Sequence, residues 1–334
     1  MAVNNSEFKN ILSNLKARKF APVYFLYGEE QYYIDEISNF AEKNILSDAE
    51  KGFNQTVLYG KDVDVLTIIN HAKRFPMMSD YQVLIVKEAQ NLKKIEELET
   101  YLDKPLTSTI LIICYKKDKV DKRTRFYKAL GKHVVFESKK LYPNELPDWI
   151  ESYLKQRGFS IQPKSANLIA DSLGSDLGKI SNELEKLIIN KEGDKTITDT
   201  DVELKIGISK EFNVFELINA ISTKNSGRAM HIAHYMVKNK DFSIIATLIN
   251  LNNFFNKVYV VKQSKIKDAG TLQKQFGLNF MQVKDCLNAA SRFSADELEH
   301  CIRVMQEYDL KSKGVNNISA TPEELLKEVL FKIL

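Results

Sequence analysis

At 334 residues the chain exceeds one ordinary hydrophobic core, so two or three domains are expected. A formal charge of +4 with 28% charged residues suits a globular protein and does not by itself indicate a nucleic-acid ligand. No charged-then-apolar leader opens the sequence, no apolar run approaches membrane-spanning length, and Cys114, Cys286 and Cys301 make no spaced metal pattern. A cytoplasmic protein in a reducing compartment, without membrane association, is expected.

The first 140 residues alternate between two periodicities. A short amphipathic helix near Ser6–Lys16 precedes Val23-Tyr24-Phe25-Leu26-Tyr27, an apolar run that reads as a buried strand closed by Gly28-Glu29-Glu30. A helix follows with Ile34, Ile37 and Ala41 on one face, then a strand at Asn54–Tyr59. Val65, Ile68, Ile69 and Ala72 mark a helix over Val63–Lys73, and Val83-Leu84-Ile85-Val86 is a strand covered on both faces. Glu96–Leu102 reads as helix, Thr109–Cys114 as strand, Arg123–Leu130 as helix and His133–Glu137 as strand. Strands alternating with helices predict a mostly parallel sheet with helices on both faces.

After Lys140 the strand signals stop. Leu141-Tyr142-Pro143 reads as a linker, and helices are expected at Asn144–Arg157, Ser165–Leu173, Leu177–Asn190 and Asp199–Ile206. From about Asn213 onward, apolar stripes such as Leu248, Leu251, Phe255 and Val258, or Leu326, Val329, Leu330 and Ile333, predict a second helical block. Ser294 with Glu297 and Thr321 with Glu324 are capping boxes, the latter with Pro322 at the first helical position. Cys286 shares a helical face with Val283, Leu287 and Ala290, as a core thiol does.

Between the helix at 63–73 and the VLIV strand lies Phe75-Pro76-Met77-Met78-Ser79-Asp80. Proline disfavours helical geometry at Phe75, so Met77 and Met78 fall on a tight helix-to-strand corner. Two adjacent residues there do not easily both face inward, and one or both are expected to form an exposed apolar tip. Scattered exposed apolar residues need no explanation, whereas a patch marks a binding surface. Methionine suits both readings.

Catalytic patterns are weak. A phosphate loop needs glycines for close backbone approach, then Lys and Ser/Thr for phosphate and magnesium. Gly28-Glu29-Glu30 offers one glycine and two carboxylates that would repel a triphosphate, and TILIICYKKD lacks a terminal acidic pair. Adjacent acids there and at Glu96-Glu97 read as solvated helix starts or faces. His231 and His234 have helical spacing but no third ligand at useful distance. No nucleophile motif is present. Neither catalytic residue, cofactor nor metal is expected. Tyr115–Lys132 is rich in Lys and Arg, which reads as a solvated face or, through Lys119, Lys122, Arg123 or Arg125, as a phosphate-backbone contact.

In the stretches PVYFLYGEEQYYIDE (22–36), GKDVDVLTIINHAKRFPMMSDYQVLIVKEAQ (60–90), DKRTRFYKAL (121–130), LGSDLGKISNELEKL (173–187) and DLKSKG (309–314), the chain resembles the delta subunits of the bacterial DNA polymerase III clamp loader. The resemblance runs nearly end to end. It implies α/β plus all-α architecture: an AAA+-like parallel-sheet domain over 1–140 without a functional P-loop, a small helical lid domain over 141–209, and a C-terminal helical collar domain over 210–334. It further implies a non-catalytic component of the polymerase holoenzyme that binds and opens the sliding clamp. The other partners implied are delta-prime, the tau/gamma ATPase subunits, and primer-template DNA inside the complex. The family's wedge, a bulky apolar pair after Pro and before Ser-Asp, falls on Met77 and Met78, flanked by Phe75 and Pro76, although aromatic or leucine side chains are usual there. The competing readings are a nucleic-acid-binding AAA+-like helper without clamp contact and an autonomous NTPase switch, for which the Gly28-Glu29-Glu30 turn predicts no ATP binding.

Overall fold

The computed structural model describes residues 3–117, 120–189, 191, 193–206, 212–239, 242–264, 268–317 and 319–334. The chain divides into two compact units, Met1–Leu141 and Tyr142–Leu334.

In the first unit the elements are α1 (Val3–Lys16), β1 (Val23–Gly28), α2 (Gln31–Asn44), α3 (Asp48–Asn54), β2 (Gln55–Tyr59), α4 (Val65–Ala72), β3 (Gln82–Lys87), α5 (Glu99–Leu102), β4 (Thr109–Tyr115), α6 (Arg125–Leu130) and β5 (Val134–Ser138). Among the described residues the strands form one five-stranded sheet in the order β2-β3-β4-β1-β5, with every pairing parallel. The predicted alternation therefore gives the predicted sheet.

Side chains alternate across this sheet, so each strand feeds two cores. Val23, Phe25, Tyr27, Leu84, Val86, Leu111 and Ile113 share one cluster with Val65, Ile68 and Ala72 of α4 and Phe126 and Leu130 of α6. The intervening Leu26, Ile85 and Ile112 point the other way and are fully buried, as are Ile34, Ile37 and Ala41 of α2, which packs against β1, β3, β4 and β5. This two-sided burial explains the unbroken VLIV and TILIIC runs. Each large aliphatic side chain taken from water contributes about 2 kcal/mol.

Two details depart from expectation. Residues 48–54 form α3, started by a capping box between Ser47 and Glu50, so Asn54 ends a helix rather than beginning a strand. The 3-10 turn Ile95–Leu98 also precedes a shorter α5 than the expected Glu96–Leu102 helix.

The second unit contains α7 (Leu146–Lys155), β6 (Ser160–Ile161), α8 (Pro163–Leu173), α9 (Leu177–Ile189), β7 (Thr196–Ile197), α10 (Asp199–Ile206), α11 (Val214–Ser222), α12 (Ser226–Met236), α13 (Ile244–Ser264), α14 (Ala269–Phe276), α15 (Phe280–Arg292), α16 (Ala295–Ser312) and α17 (Pro322–Ile333). The strands do not stop at Lys140: β6 and β7 pair in parallel through two residues each, too short to leave a periodic signal. Leu177, Ile180, Leu184 and Leu187 of α9 are buried, as the stripe predicts. A separate apolar cluster is built wholly from residues between Leu217 and Ile333 and includes Cys286 and Cys301. Both capping boxes, at Ser294 and Thr321, form. Burial pushes all three thiols up to about 12, which leaves them protonated packing groups. Among the described residues, no helix is long and apolar enough to cross a membrane.

Candidate partner-binding corner

The α4–β3 corner is fixed first from the side of α4. A helix leaves its last carbonyls without intrahelical partners, and here side chains from the sheet supply them. Gln82 Nε2 donates to the Arg74 carbonyl at 2.5 Å and lies 2.7 Å from the Thr109 hydroxyl. That hydroxyl donates to the Ala72 carbonyl at 2.8 Å, and the Tyr101 hydroxyl donates to the same oxygen at 3.2 Å. Gln82 and Thr109 are both buried. Such a satisfied polar network in an apolar surround holds one geometry. The helix consequently ends at Ala72, before the proline.

Beyond it the chain turns outward. Phe75 is 75% exposed, Met77 62% and Met78 103%, while Pro76 is half-buried. Both methionines therefore project from the corner. Met78 adopts φ +54, a left-handed conformation that is sparsely populated by residues carrying a Cβ. The Met77 backbone is hydrogen-bonded in both directions by the buried Asn54 side chain of α3. Ser79 Oγ donates to the Tyr81 carbonyl at 3.1 Å, within the turn itself. On α3, hydrogen bonds from Ser47 hold the Glu50 carboxyl down at about 2. Sequence pattern does not single out Gln82, Asn54 or Glu50; the Ser47/Glu50 capping spacing is the one signal it offers for α3. Phe53, 75% exposed on the same helix, escapes it as well.

The β1–α2 corner is closed. Gly28 pairs with Ser138, and Ser138 Oγ donates to the Glu30 carbonyl while Glu30 N–H donates to the Ser138 carbonyl at 3.1 Å. Glu30 is buried, not solvated, and its carboxylate caps α2 by accepting from the Tyr32 N–H at 3.1 Å. A helix start that would suit an external anion is thus already facing an internal one. At the end of β4, Lys116 Nζ lies 2.7 and 2.8 Å from the two Asp35 carboxylate oxygens, tying this strand end to α2.

The basic stretch is largely matched by its own acids. Arg123 makes a two-pronged pair with Asp121 at 3.0 Å for each contact, and Lys122 lies 3.3 Å from Glu137. Arg125 is exposed and has no ion-pair partner among the described residues; Lys119 lies outside them. The pair His231 and His234 is engaged elsewhere: His231 packs edge-on to Phe212 and Tyr235, and His234 faces Glu323 at 3.9 Å. Among the described residues no group of three or more His, Cys, Asp or Glu has metal-holding geometry. A cavity of about 200 Å³ in the second unit is lined by Asp171, Lys257, Gln282 and Asp285 among others. Burial, with the Asp285 charge adding to it, lifts the Asp171 carboxyl to about 6. Gln282 and Asn219 donate to these two acids at 3.0 and 2.9 Å.

Residues 24–139 match the family model for the delta subunit of DNA polymerase III, and residues 211–328 match the model for the C-terminal domain of that same subunit. The DNA polymerase III subunit delta of Bacillus subtilis (strain 168) is 28% identical over 322 residues, covering 91% of each chain. The solved structure of the Bacillus subtilis DNA clamp loader delta protein superimposes with a TM-score of 0.66 at 24% identity, over 98% of this chain and 99% of that one. Two family models in their native order, together spanning most of the sequence, and a curated relative aligned nearly end to end agree: the chain belongs to the DNA polymerase III delta subunit family.

Proposed function

We propose that this chain works in a DNA clamp loader as the subunit that grips the ring-shaped sliding clamp through Met77 and Met78 and favours its opened form. The observation that carries the reading is the pair of exposed thioether side chains on a corner whose backbone is held from both sides. Unbranched, polarizable methionines can enter an irregular apolar pocket, with Phe75 and Pro76 completing the tip. Burying each contributes roughly 1.5–3 kcal/mol before ordering is subtracted. Their flexibility makes that subtraction larger than for an aromatic pair.

Opening a ring requires state-selective binding, since equal affinity for closed and open forms shifts nothing. The tip supplies affinity, and contacts around it that fit only the opened interface supply the bias. The internally occupied β1–α2 corner supports a subunit that performs no nucleotide chemistry. ATP held by tau/gamma subunits, with delta-prime completing the assembly, would decide when the tip is presented. In this reading residues 141–209 act as the lid and 210–334 as the collar that joins the other subunits. Arg125, with Lys119, Lys122 and Arg123, would meet primer-template phosphates inside the complex. A stand-alone nucleic-acid-binding role gains less support, because Lys122 and Arg123 already face carboxylates.

The test is calorimetry with the organism's own clamp. Met77→Ala with Met78→Ala should weaken binding by more than about 30-fold, the equivalent of a hot-spot residue. The unfolding midpoint should not move, because neither side chain is in a core. Unchanged clamp affinity in the double variant would refute the assignment.

A further inference from the structure

We propose that Asn54 is the positioning residue of the clamp-gripping tip, its carboxamide setting where Met77 and Met78 stand. This rests on the role given to those methionines above. Asn54 ends α3 and is 4% exposed. Its Oδ1 accepts from the Met77 N–H at 2.7 Å, and its Nδ2 donates to the Met77 carbonyl at 2.9 Å. A third contact, from Nδ2 to the Glu50 carbonyl at 3.2 Å, ties the same carboxamide to its own helix.

The chemistry of this bracket is specific. A primary carboxamide carries a donor and an acceptor side by side, so it can bond to both sides of one residue's backbone, as a neighbouring strand would. A carboxylate accepts only, an ammonium donates only, and an alanine does neither. Because the bracket uses the backbone of Met77, both thioethers stay free to face a partner. Met78 follows directly at φ +54, a conformation that persists when its surroundings hold it. The network of Gln82, Tyr101 and Thr109 fixes the corner only on its α4 side. Presentation of the methionines therefore depends on a residue 23 positions upstream that meets no clamp surface itself.

Preorganisation of this kind raises affinity by removing the ordering loss from the binding step. Asn54→Ala should weaken clamp binding about tenfold, as expected for loss of hydrogen bonds with a modest net contribution. In the free chain it should speed hydrogen exchange at the Met77 amide and narrow the methyl resonances of 13C-methyl-labelled Met77 and Met78. Asn54→Asp, nearly isosteric, is the second variant should the alanine disturb α3. It keeps the acceptor for the Met77 N–H, loses the donor to the Met77 carbonyl, and should also bind the clamp more weakly than wild type. Weaker clamp binding accompanied by faster Met77 exchange supports the proposal. Normal clamp affinity in both Asn54 variants, with binding lost in Met77→Ala/Met78→Ala, overturns the positioning role and leaves the methionines' role standing. Weakened binding with Met77 exchange unchanged also overturns it, because the effect then bypasses the bracket. Normal binding by the double methionine variant overturns both.

Discussion

The β1–α2 corner and the α4–β3 corner each join a buried strand to an amphipathic helix in the same sheet, and their side chains go in opposite directions. At the first, Gly28 lies against Ser138 and the Glu30 carboxylate folds back onto the α2 amides. At the second, the inward polar work is done by Asn54 of α3 and by Gln82 at the start of β3, and Phe75, Met77 and Met78 turn out to solvent. Where the corner's own side chain is folded in, as Glu30 is with Ser138 of β5 closing the turn, the corner contributes stability and offers nothing to a partner. Where the backbone is bracketed by a side chain of another element and the corner's own apolar side chains are left in solvent, as at Met77 and Met78, those side chains are available to a partner. The basic stretch at 121–125 belongs nearer the first case, since Asp121 and Glu137 already answer two of its cations.

If this contrast is right, the two corners fail separately. The largest effect on folding is expected at Gly28. Its φ is +137, and an added Cβ would stand 2.0 Å from the Ser138 carbonyl oxygen, so β5 would have to move. Gly28→Ala should lower stability by about 3 kcal/mol or more, read from the urea midpoint. Clamp affinity per folded molecule should stay near wild type, the reverse of the double methionine variant. A Gly28→Ala chain of normal stability would break the account of the closed corner. A smaller loss, about 1 kcal/mol, is expected for Glu30→Ala, which removes the side-chain cap of α2. Thermal unfolding measures it, and clamp binding should again be unaffected.

The sheet was legible because doubly buried strands leave unbroken apolar runs, and the shortness and Ile/Val content of VLIV and TILIIC favour strand over buried helix. That at least one of Met77 and Met78 turns outward followed from Pro76 and from the geometry of adjacent residues; that both do was left open. What holds them was not legible. Asn54 looks like the start of the strand NQTVLY, and its partner lies 23 residues away, beyond any local periodicity. Nothing in a Met-Met pair announces a left-handed φ at the second residue. Pairing of Ser160-Ile161 with Thr196-Ile197 escaped for a similar reason, being a contact between distant residues with two positions per strand. Adjacent glutamates at 29 and 30 marked a helix start correctly, but burial of one of them depends on Ser138, 108 residues further on.

The smallest effect tests the cap that starts α3, the helix behind the open corner. Glu50 accepts from the Ser47 N–H at 2.8 Å and from the Ser47 hydroxyl at 2.6 Å. These bonds favour the ionised carboxyl and hold it at about 2, below its ordinary 4.5. A depressed carboxyl contributes stability that is fully present above the unfolded value and is lost as pH falls through the folded one. Glu50→Gln should therefore unfold at a slightly lower temperature than wild type at pH 7. The gap should stay constant between about pH 6 and pH 8, narrow below about pH 4.5, and close near pH 2. Because Asn54 still brackets Met77, the variant should lose less clamp affinity than Asn54→Ala. If Glu50→Gln instead weakened clamp binding as much as Asn54→Ala, the capped start of α3 would be setting the tip equally, and α3 as a whole, rather than one carboxamide, would be the positioning element.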